Sequence, residues 1–245
     1  MLISIITVCF NSEKTIRGTI ESVINQDYNE IEYIIIDGGS SDNTLNIVRE
    51  YGTKINKIIS EKDEGMYDAI NKGIKLSNGE FVGILNSDDE FYSNDILSKI
   101  SIFLRKNPQL DAIYGDIIFE NKGKTIRHYN AKSWNKNKFE WGFMPPHPSF
   151  YCKRNIFYQL GFYRTDFEIA SDYELLIRYL RIHNIRYAYL PNTLVKMKLG
   201  GKSTKNIFAN IKLNREIKKA CELNGLSTNY LKLFSKYFIK IFEFI

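Results

Sequence analysis

The residues of this chain best suited to chemistry are oxygen-bearing side chains placed where apolar runs stop. Asn11 follows Leu2–Val8, Asp37 follows Glu32–Ile36, Asp63 follows Ile55–Ser60, and Asn86-Ser87-Asp88-Asp89 follows Phe81–Leu85. Adjacent carboxylates such as Asp88 and Asp89 repel each other unless a cation lies between them. A hard divalent ion, Mg²⁺ or Mn²⁺, is bound by one or two carboxylates together with substrate phosphates. The competing reading is a polar turn in which Asp88 or Asp89 caps the next helix.

Each of these groups needs an element to hold it. Leu2–Val8, Glu32–Asp37, Ile55–Ser60 and Phe81–Leu85 read as buried strands, rich in β-branched residues and continuous in hydrophobicity. Between them run segments with apolar residues at helical spacing: Ile16, Ile20, Val23 and Ile24 after Ser12, a short stretch capped by Asp42 or Thr44, and about Met66 to Leu76. Strand–helix alternation over 1–107 predicts a parallel sheet wrapped by helices. In such a sheet, ligands bind just beyond the carboxyl ends of the strands, so the acidic and amide groups converge on one crevice.

Beyond Asn107-Pro108 the pattern changes. Ala112–Phe119 predicts one long or two short strands, and 122–138 reads as an exposed basic excursion. The prolines of Phe143–Ser149 predict a stiff loop around His147. A short strand at Ser149–Cys152, a helix at Arg154–Leu160, a helix from Ala170 to His183 with Leu175, Leu176, Tyr179 and Leu180 inward, and a strand at Tyr187–Leu190 follow. Lys198–Thr204 is a basic, glycine-bearing loop, and a helix is expected over about 206–223. The segment 230–245 sets Leu231, Phe234, Phe238, Ile241, Phe242 and Ile245 on one side and Lys232, Lys236 and Lys240 on another. That pattern suits a helix lying in a membrane interface or packing on the body of the protein.

Composition narrows the classes. With 44% hydrophobic and 14% aromatic residues the chain can build a core. Cys9, Cys152 and Cys221 do not form a disulfide framework, which favours a reducing, cytoplasmic setting. No basic region precedes the first apolar stretch, and no run reaches transmembrane length. A net charge of +6 suits an anionic ligand or membrane surface but is too diffuse to argue for nucleic acid.

Taken in order, Ser4–Asn11, Gln26-Asp27-Tyr28 with Glu32–Thr44, Ser60–Gly73 and Asn86–Asp89 resemble the signatures of the family 2 inverting glycosyltransferases, in a subset that builds bacterial surface polysaccharides. The resemblance implies the GT-A fold: a Rossmann-like, mostly parallel sheet with helices on both faces, followed here by a C-terminal helical extension. It implies a nucleotide-sugar half (1–107), an acceptor and catalytic half of the same domain (108–205) and C-terminal helices (206–245). By position, Thr7, Phe10 and Asn11 would line the nucleotide pocket, Asp37 would accept from the base, and Lys62 and Asp63 would border base and ribose. Asn86, Asp88 and Asp89 occupy the place of the family's Asp-x-Asp motif. Asn86 removes one charge, which leaves Asp88 at the ribose and diphosphate and Asp88 with Asp89 as ligands of Mn²⁺ or Mg²⁺. Asp172 would be the general base; Ser171 stands where an acid is often found beside it. His147, Tyr67 and Ser171 are candidates for acceptor or phosphate, Asn71 for the sugar, and Lys202 for a lid over the diphosphate.

The expected activity is transfer of one sugar, from a UDP-sugar above other donors, to a saccharide or lipid-linked saccharide at the cytoplasmic membrane face. The Gln-x-x-Arg-Trp signature of processive synthases is missing, which favours single transfer over polymerisation. The alternatives are a sugar-phosphate nucleotidyltransferase, though no glycine-rich phosphate loop follows the first strand, and a non-catalytic nucleotide-sugar-binding subunit. A dehydrogenase is excluded for want of Gly-x-Gly-x-x-Gly after any strand.

Overall fold

Alternation along the first strand splits the protein into two layers. The computed structural model describes residues 1–121, 123–198 and 207–240. In β1 (Ile3–Cys9), Ile3 and Ile5 pack toward α1 (Ile16–Ile24) and α2 (Thr44–Arg49), while Ile6 and Val8 face α3 (Met66–Leu76). Successive side chains of a strand point to opposite faces, so a strand buried at every position, as β1 is, must be covered on both. β2 (Ile31–Asp37), β3 (Lys57–Ser60) and β4 (Phe81–Ile84) join β1 in parallel, in the order β3-β2-β1-β4.

The second half extends the same sheet. β6 (Ala112–Asn121), β8 (Tyr151–Lys153) and β9 (Tyr187–Lys198) continue the order as β4-β8-β6-β9, and β5 (Asp89–Phe91) closes it by pairing antiparallel with β9. β7 (Lys124–Tyr129) pairs with β6. The remaining helices are α4 (Ile96–Lys106), α5 (Arg154–Leu160), α6 (Ser171–Leu176, continued as a π-helical stretch over Ile177–Ile182), α7 (Ile207–Leu223) and α8 (Tyr230–Lys240).

Several sequence expectations change. Asp89 opens a strand instead of capping a helix, because β9 runs far past Leu190 and offers β5 an edge. The expected excursion over 122–138 is built into the body: β7 occupies part of it, and Ala131 and Trp134 are buried. A basic surface strand followed by a short 3-10 turn at Lys136–Trp141 carries too few apolar residues at either period to be read as structure.

The C-terminal stripe also turns differently. Leu233 is fully buried, and Lys236, only 1% exposed, donates to Asn214 Oδ1 of α7 at 2.8 Å. Leu231, by contrast, is 84% exposed and Phe234 48%. Lys232 is paired with Glu140 at 3.2 Å. The lysines of α8 at 232 and 236 thus serve internal contacts, because the helix is seated against α7 and the 136–141 turn. The side chain of Phe238 and residues 241–245 lie outside the described residues. Among the described residues no helix is long and apolar enough to cross a membrane.

One glycine is fixed by a ring. Gly83 pairs with Tyr151 across β4 and β8, and a Cβ at 83 would lie 2.3 Å from the Tyr151 ring. Tyr151 is buried and has nowhere to move. Gly83→Ala is expected to lower stability by about 1–3 kcal/mol through overpacking, read as a lower urea midpoint with an unchanged slope.

Candidate active site

The carboxyl ends of β1, β2, β3 and β4 are laced together by side-chain contacts. Asn11 sits at φ 49, a left-handed conformation that Asn tolerates, and its Oδ1 accepts from Ser41 N–H at 2.9 Å. Its own N–H donates to Ser40 Oγ at 2.8 Å. Ser12 N–H donates to Thr44 Oγ1 at 2.7 Å, and the Ser12 and Ser87 hydroxyls meet at 2.9 Å. The loops after β1, β2 and β4 therefore form one rim.

Asp37 lies under that rim. It is fully buried, and its carboxylate accepts from Ser40 N–H, the Ser40 hydroxyl and the Ser60 hydroxyl (2.7 Å), with the Cys9 thiol at 3.7 Å. Burial, followed by the Asp37 charge, pushes the Cys9 thiol well up and keeps it protonated. Asp37 is thus spoken for by the protein, and a base reaches it directly only if a serine hydroxyl gives way. Asp63 packs against Gly38, where a Cβ would come within 2.4 Å of its Oδ2, and its Oδ1 accepts from Gly65 N–H at 2.9 Å. Gly65, at φ 124, takes a backbone conformation closed to other residues and turns the chain into α3. Phe10 is 58% exposed at the rim and Lys62 is exposed beside Gly39.

Two expected pocket residues are elsewhere. Thr7 is completely buried, with Oγ1 3.2 Å from the Tyr33 hydroxyl; strand alternation puts it on the α1–α2 face, away from the crevice. Asn71 is also buried. Its amide donates to the Tyr163 carbonyl at 2.8 Å and accepts from Tyr163 N–H at 3.0 Å, so it ties α3 to the 161–164 segment with both ends of the amide engaged.

The acidic turn separates its two carboxylates. Asp89 is 1% exposed, accepts from the Asn86 amide at 3.1 Å, and its backbone carbonyl takes the Thr19 hydroxyl at 2.8 Å. Burial first, then the charge of Asp88, pushes the Asp89 carboxyl well above the usual carboxylate range. Asp88 is partly exposed. The expectation of a two-carboxylate site is thereby corrected: the side chain at 89 is drawn inward by the β5–β9 pairing, which leaves Asp88 as the carboxylate open to solvent. Among the described residues no group of three His, Cys, Asp or Glu side chains is arranged to hold a metal. One carboxylate, with its other ligands supplied by phosphate and water, suits a Mg²⁺-type ion shared with substrate. Asp88 fits such an ion.

Asp172 is at the start of α6. Its Oδ1 accepts from Tyr173 N–H at 2.8 Å and lies 3.3 Å from the Tyr67 hydroxyl, whose shorter bond (2.6 Å) goes to the Ile169 carbonyl. Burial raises the Asp172 carboxyl, against the lowering effects of His147 and these hydrogen bonds. His147, in the 3-10 turn His147–Ser149, places Nε2 2.7 Å from the Tyr163 hydroxyl. Burial lowers its imidazole, opposed by the Asp172 charge, and so favours the neutral ring. Tyr67 and Tyr163 stack at 5.8 Å. Tyr67, near the start of α3, joins this cluster through its hydroxyl. Ser171 is buried, and its hydroxyl has no hydrogen-bond partner among the described residues. Tyr163 is the member of the cluster that sequence did not single out; it stands in an irregular stretch with no motif. Lys202 lies outside the described residues.

A parallel α/β sheet with acidic loops gathered at its carboxyl edge, extended by a mixed half carrying a half-buried carboxylate, defines the GT-A class of fold. The model of glycosyl transferase family 2 matches residues 4–171, and the chain belongs to that family. It is 27% identical over 180 residues to a PGL/p-HBAD biosynthesis glycosyltransferase of Mycobacterium bovis, covering 72% of this chain and 69% of that protein. It is 28% identical over 217 residues to an uncharacterised glycosyltransferase of Rickettsia typhi, covering 85% and 67%. S. aureus TarS 1-349 in complex with UDP-GlcNAc superposes with a TM-score of 0.72 at 21% identity, over 90% of this chain and 66% of that one. The match to longer TarS takes in 39% of its length. A mannosyltransferase from Pyrobaculum calidifontis, in complex with GDP-Man and Mn²⁺, gives 0.63 at 18% identity, over 84% and 59%. The chain is a glycosyltransferase, and the nucleotidyltransferase and non-catalytic readings fall with that membership.

Proposed function

We propose that the chain is an inverting, metal-assisted transferase that moves one sugar from a UDP-sugar to a saccharide or lipid-linked saccharide, with Asp172 as general base. The observation that carries this reading is the half-buried carboxyl of Asp172 at the start of α6, raised by desolvation and faced by the Tyr67 hydroxyl of α3. An inverting transfer is one displacement. The acceptor oxygen bonds to the anomeric carbon, the bond to the diphosphate oxygen breaks with its electron pair, and the acceptor proton passes to Asp172. A carboxylate of raised basicity accepts that proton more readily than an ordinary one.

The rim would hold the donor: Phe10 offers an exposed ring to the base, and the Asp37–Ser40–Ser60 network and Asp63 shape the pocket below it. Asp88 would hold Mn²⁺ or Mg²⁺ together with the donor's phosphates; when bound, such an ion neutralises charge on the departing diphosphate. UDP is favoured because TarS, which holds UDP-GlcNAc, overlays better than the GDP-Man enzyme. The exposed Leu231 and Phe234 of α8 support docking at a cytoplasmic membrane face, where a lipid-linked acceptor of surface polysaccharide synthesis would be met.

The test is nucleotide release from a panel of UDP-, GDP- and TDP-sugars with Mn²⁺. Release from a UDP-sugar, lost on chelation and restored by Mn²⁺, is the expected outcome. Release of a nucleotide without metal dependence would remove the ion from the mechanism, and a preference for a GDP- or TDP-sugar would replace the donor.

A further inference from the structure

We propose that Glu216 of α7, well beyond the segment that the family model matches, is a positioning residue for Asp172. Its carboxylate accepts three consecutive backbone N–H groups in the loop leading into α6: Oε1 takes Glu168 N–H at 3.0 Å, and Oε2 takes Ile169 N–H at 2.9 Å and Ala170 N–H at 2.8 Å. Two residues later the chain reaches Asp172.

The loop needs this support because it has little of its own. The residue before α6 is Ala170, which has no side-chain acceptor, and the Ser171 hydroxyl makes no hydrogen bond among the described residues. The three donors run from exposed at Glu168 to buried at Ala170, and a carboxylate is a strong acceptor for several at once. The Ile169 peptide is gripped from both sides: its N–H by Glu216, its carbonyl by the Tyr67 hydroxyl that also faces Asp172.

The same face of α7 continues the grip. Lys212 pairs with Glu168, and Lys219 pairs with Asp166 at 2.8 Å and lies over the Phe167 ring at 4.3 Å. Residues 212, 216 and 219 stand three or four apart, so they share one helix face. Of these three, Glu216 is the one that bonds the backbone at 168–170. The C-terminal helix thereby becomes part of what aims the carboxylate, and misplacement of a reacting group by about 1 Å can lower turnover by roughly 10²-fold.

The inference rests on Asp172 acting as base. The experiment uses the full chain, the donor giving the fastest nucleotide release in the panel, and the variants Asp172→Asn, Glu216→Ala, Glu216→Gln and Lys219→Ala. Glu216→Ala is expected to lower kcat by roughly 10- to 100-fold with donor KM unchanged. Glu216→Gln, which keeps an acceptor for part of the set, should fall between it and the wild type. Lys219→Ala should retain wild-type kcat, and hydrogen exchange at the 168–170 amides should quicken in Glu216→Ala alone. Should the alanine variant not fold, Glu216→Gln is read in its place. Turnover that falls in Asp172→Asn but not in the Glu216 variants overturns this inference alone. An equal fall in Lys219→Ala does the same, by tracing the effect to general docking of α7. Full activity in Asp172→Asn, or no release from any donor, overturns the base reading and this inference with it.

Discussion

Asp172→Asn is expected to lower kcat for sugar transfer by about 10²–10⁴-fold, the usual share of a positioned general base, with donor KM little changed. The asparagine is nearly isosteric, and its oxygen can still accept from Tyr173 N–H, so the local geometry should survive. What is lost is the capacity to take a proton. Steady-state kinetics on both proteins with one donor and one acceptor separate these effects: equal falls in kcat and kcat/KM mark an interaction made only in the transition state. A raised donor KM with kcat intact would place Asp172 in binding and end its role as base.

The same substitution should stabilise the fold at neutral pH. Burial lifts the Asp172 carboxyl above its ordinary value of 3.8. Below that value the group is protonated in both folded and unfolded chains and exacts no penalty. As pH rises from there through the raised folded value, the unfolded chain ionises first and wild-type stability declines; above that window the loss is constant. Asparagine has no such window. Asp172→Asn should therefore melt above wild type at pH 7 and level with it near about pH 3, a trade of stability for activity expected where a charge is kept partly desolvated for use. Thermal melts at the two pH values check the sign.

Some of this was legible in the sequence, for identifiable reasons. Runs such as Ile3–Cys9 and Ile31–Asp37 carry large apolar residues at both odd and even positions, which two-sided burial explains, and they are central parallel strands. The Asp37–Gly39 and Asp63–Gly65 turns were marked by glycines, and Gly39 and Gly65 do take positive φ. Period alone, however, does not say which face a strand turns to the crevice: Thr7, placed at the nucleotide by resemblance, is buried against Tyr33. Nor does it reveal a bond made across the chain. Asn71 with Tyr163, and Glu216 with the 168–170 amides, join residues 92 and 46 to 48 positions apart, respectively. Lys236 failed in the same way: a lysine at helical spacing reads as solvated until a partner such as Asn214 is folded against it.

The two carboxylates of the acidic turn should part company under mutation, because the fold treats them differently. Asp88→Asn is expected to lower turnover by roughly 10²-fold or more, the scale of several kcal/mol that a metal can contribute to a departing anion, and to raise the Mn²⁺ concentration needed for half activity. Asp89→Asn should do neither to the same degree. Its side chain is 1% exposed and bonded to Asn86, and an amide of the same shape can still hold that contact. Its effect belongs to the turn between β4 and β5: a change in melting temperature exceeding that of Asp88→Asn, with the Mn²⁺ requirement kept. A titration of activity against Mn²⁺ in both variants, alongside their melts, decides the matter. Parallel shifts in Mn²⁺ requirement would mean that Asp89 swings outward to share the ion, against the burial that β5 imposes. Retention of full turnover in Asp88→Asn would mean that the diphosphate departs without a carboxylate-held cation, leaving cationic side chains of the crevice to meet its charge.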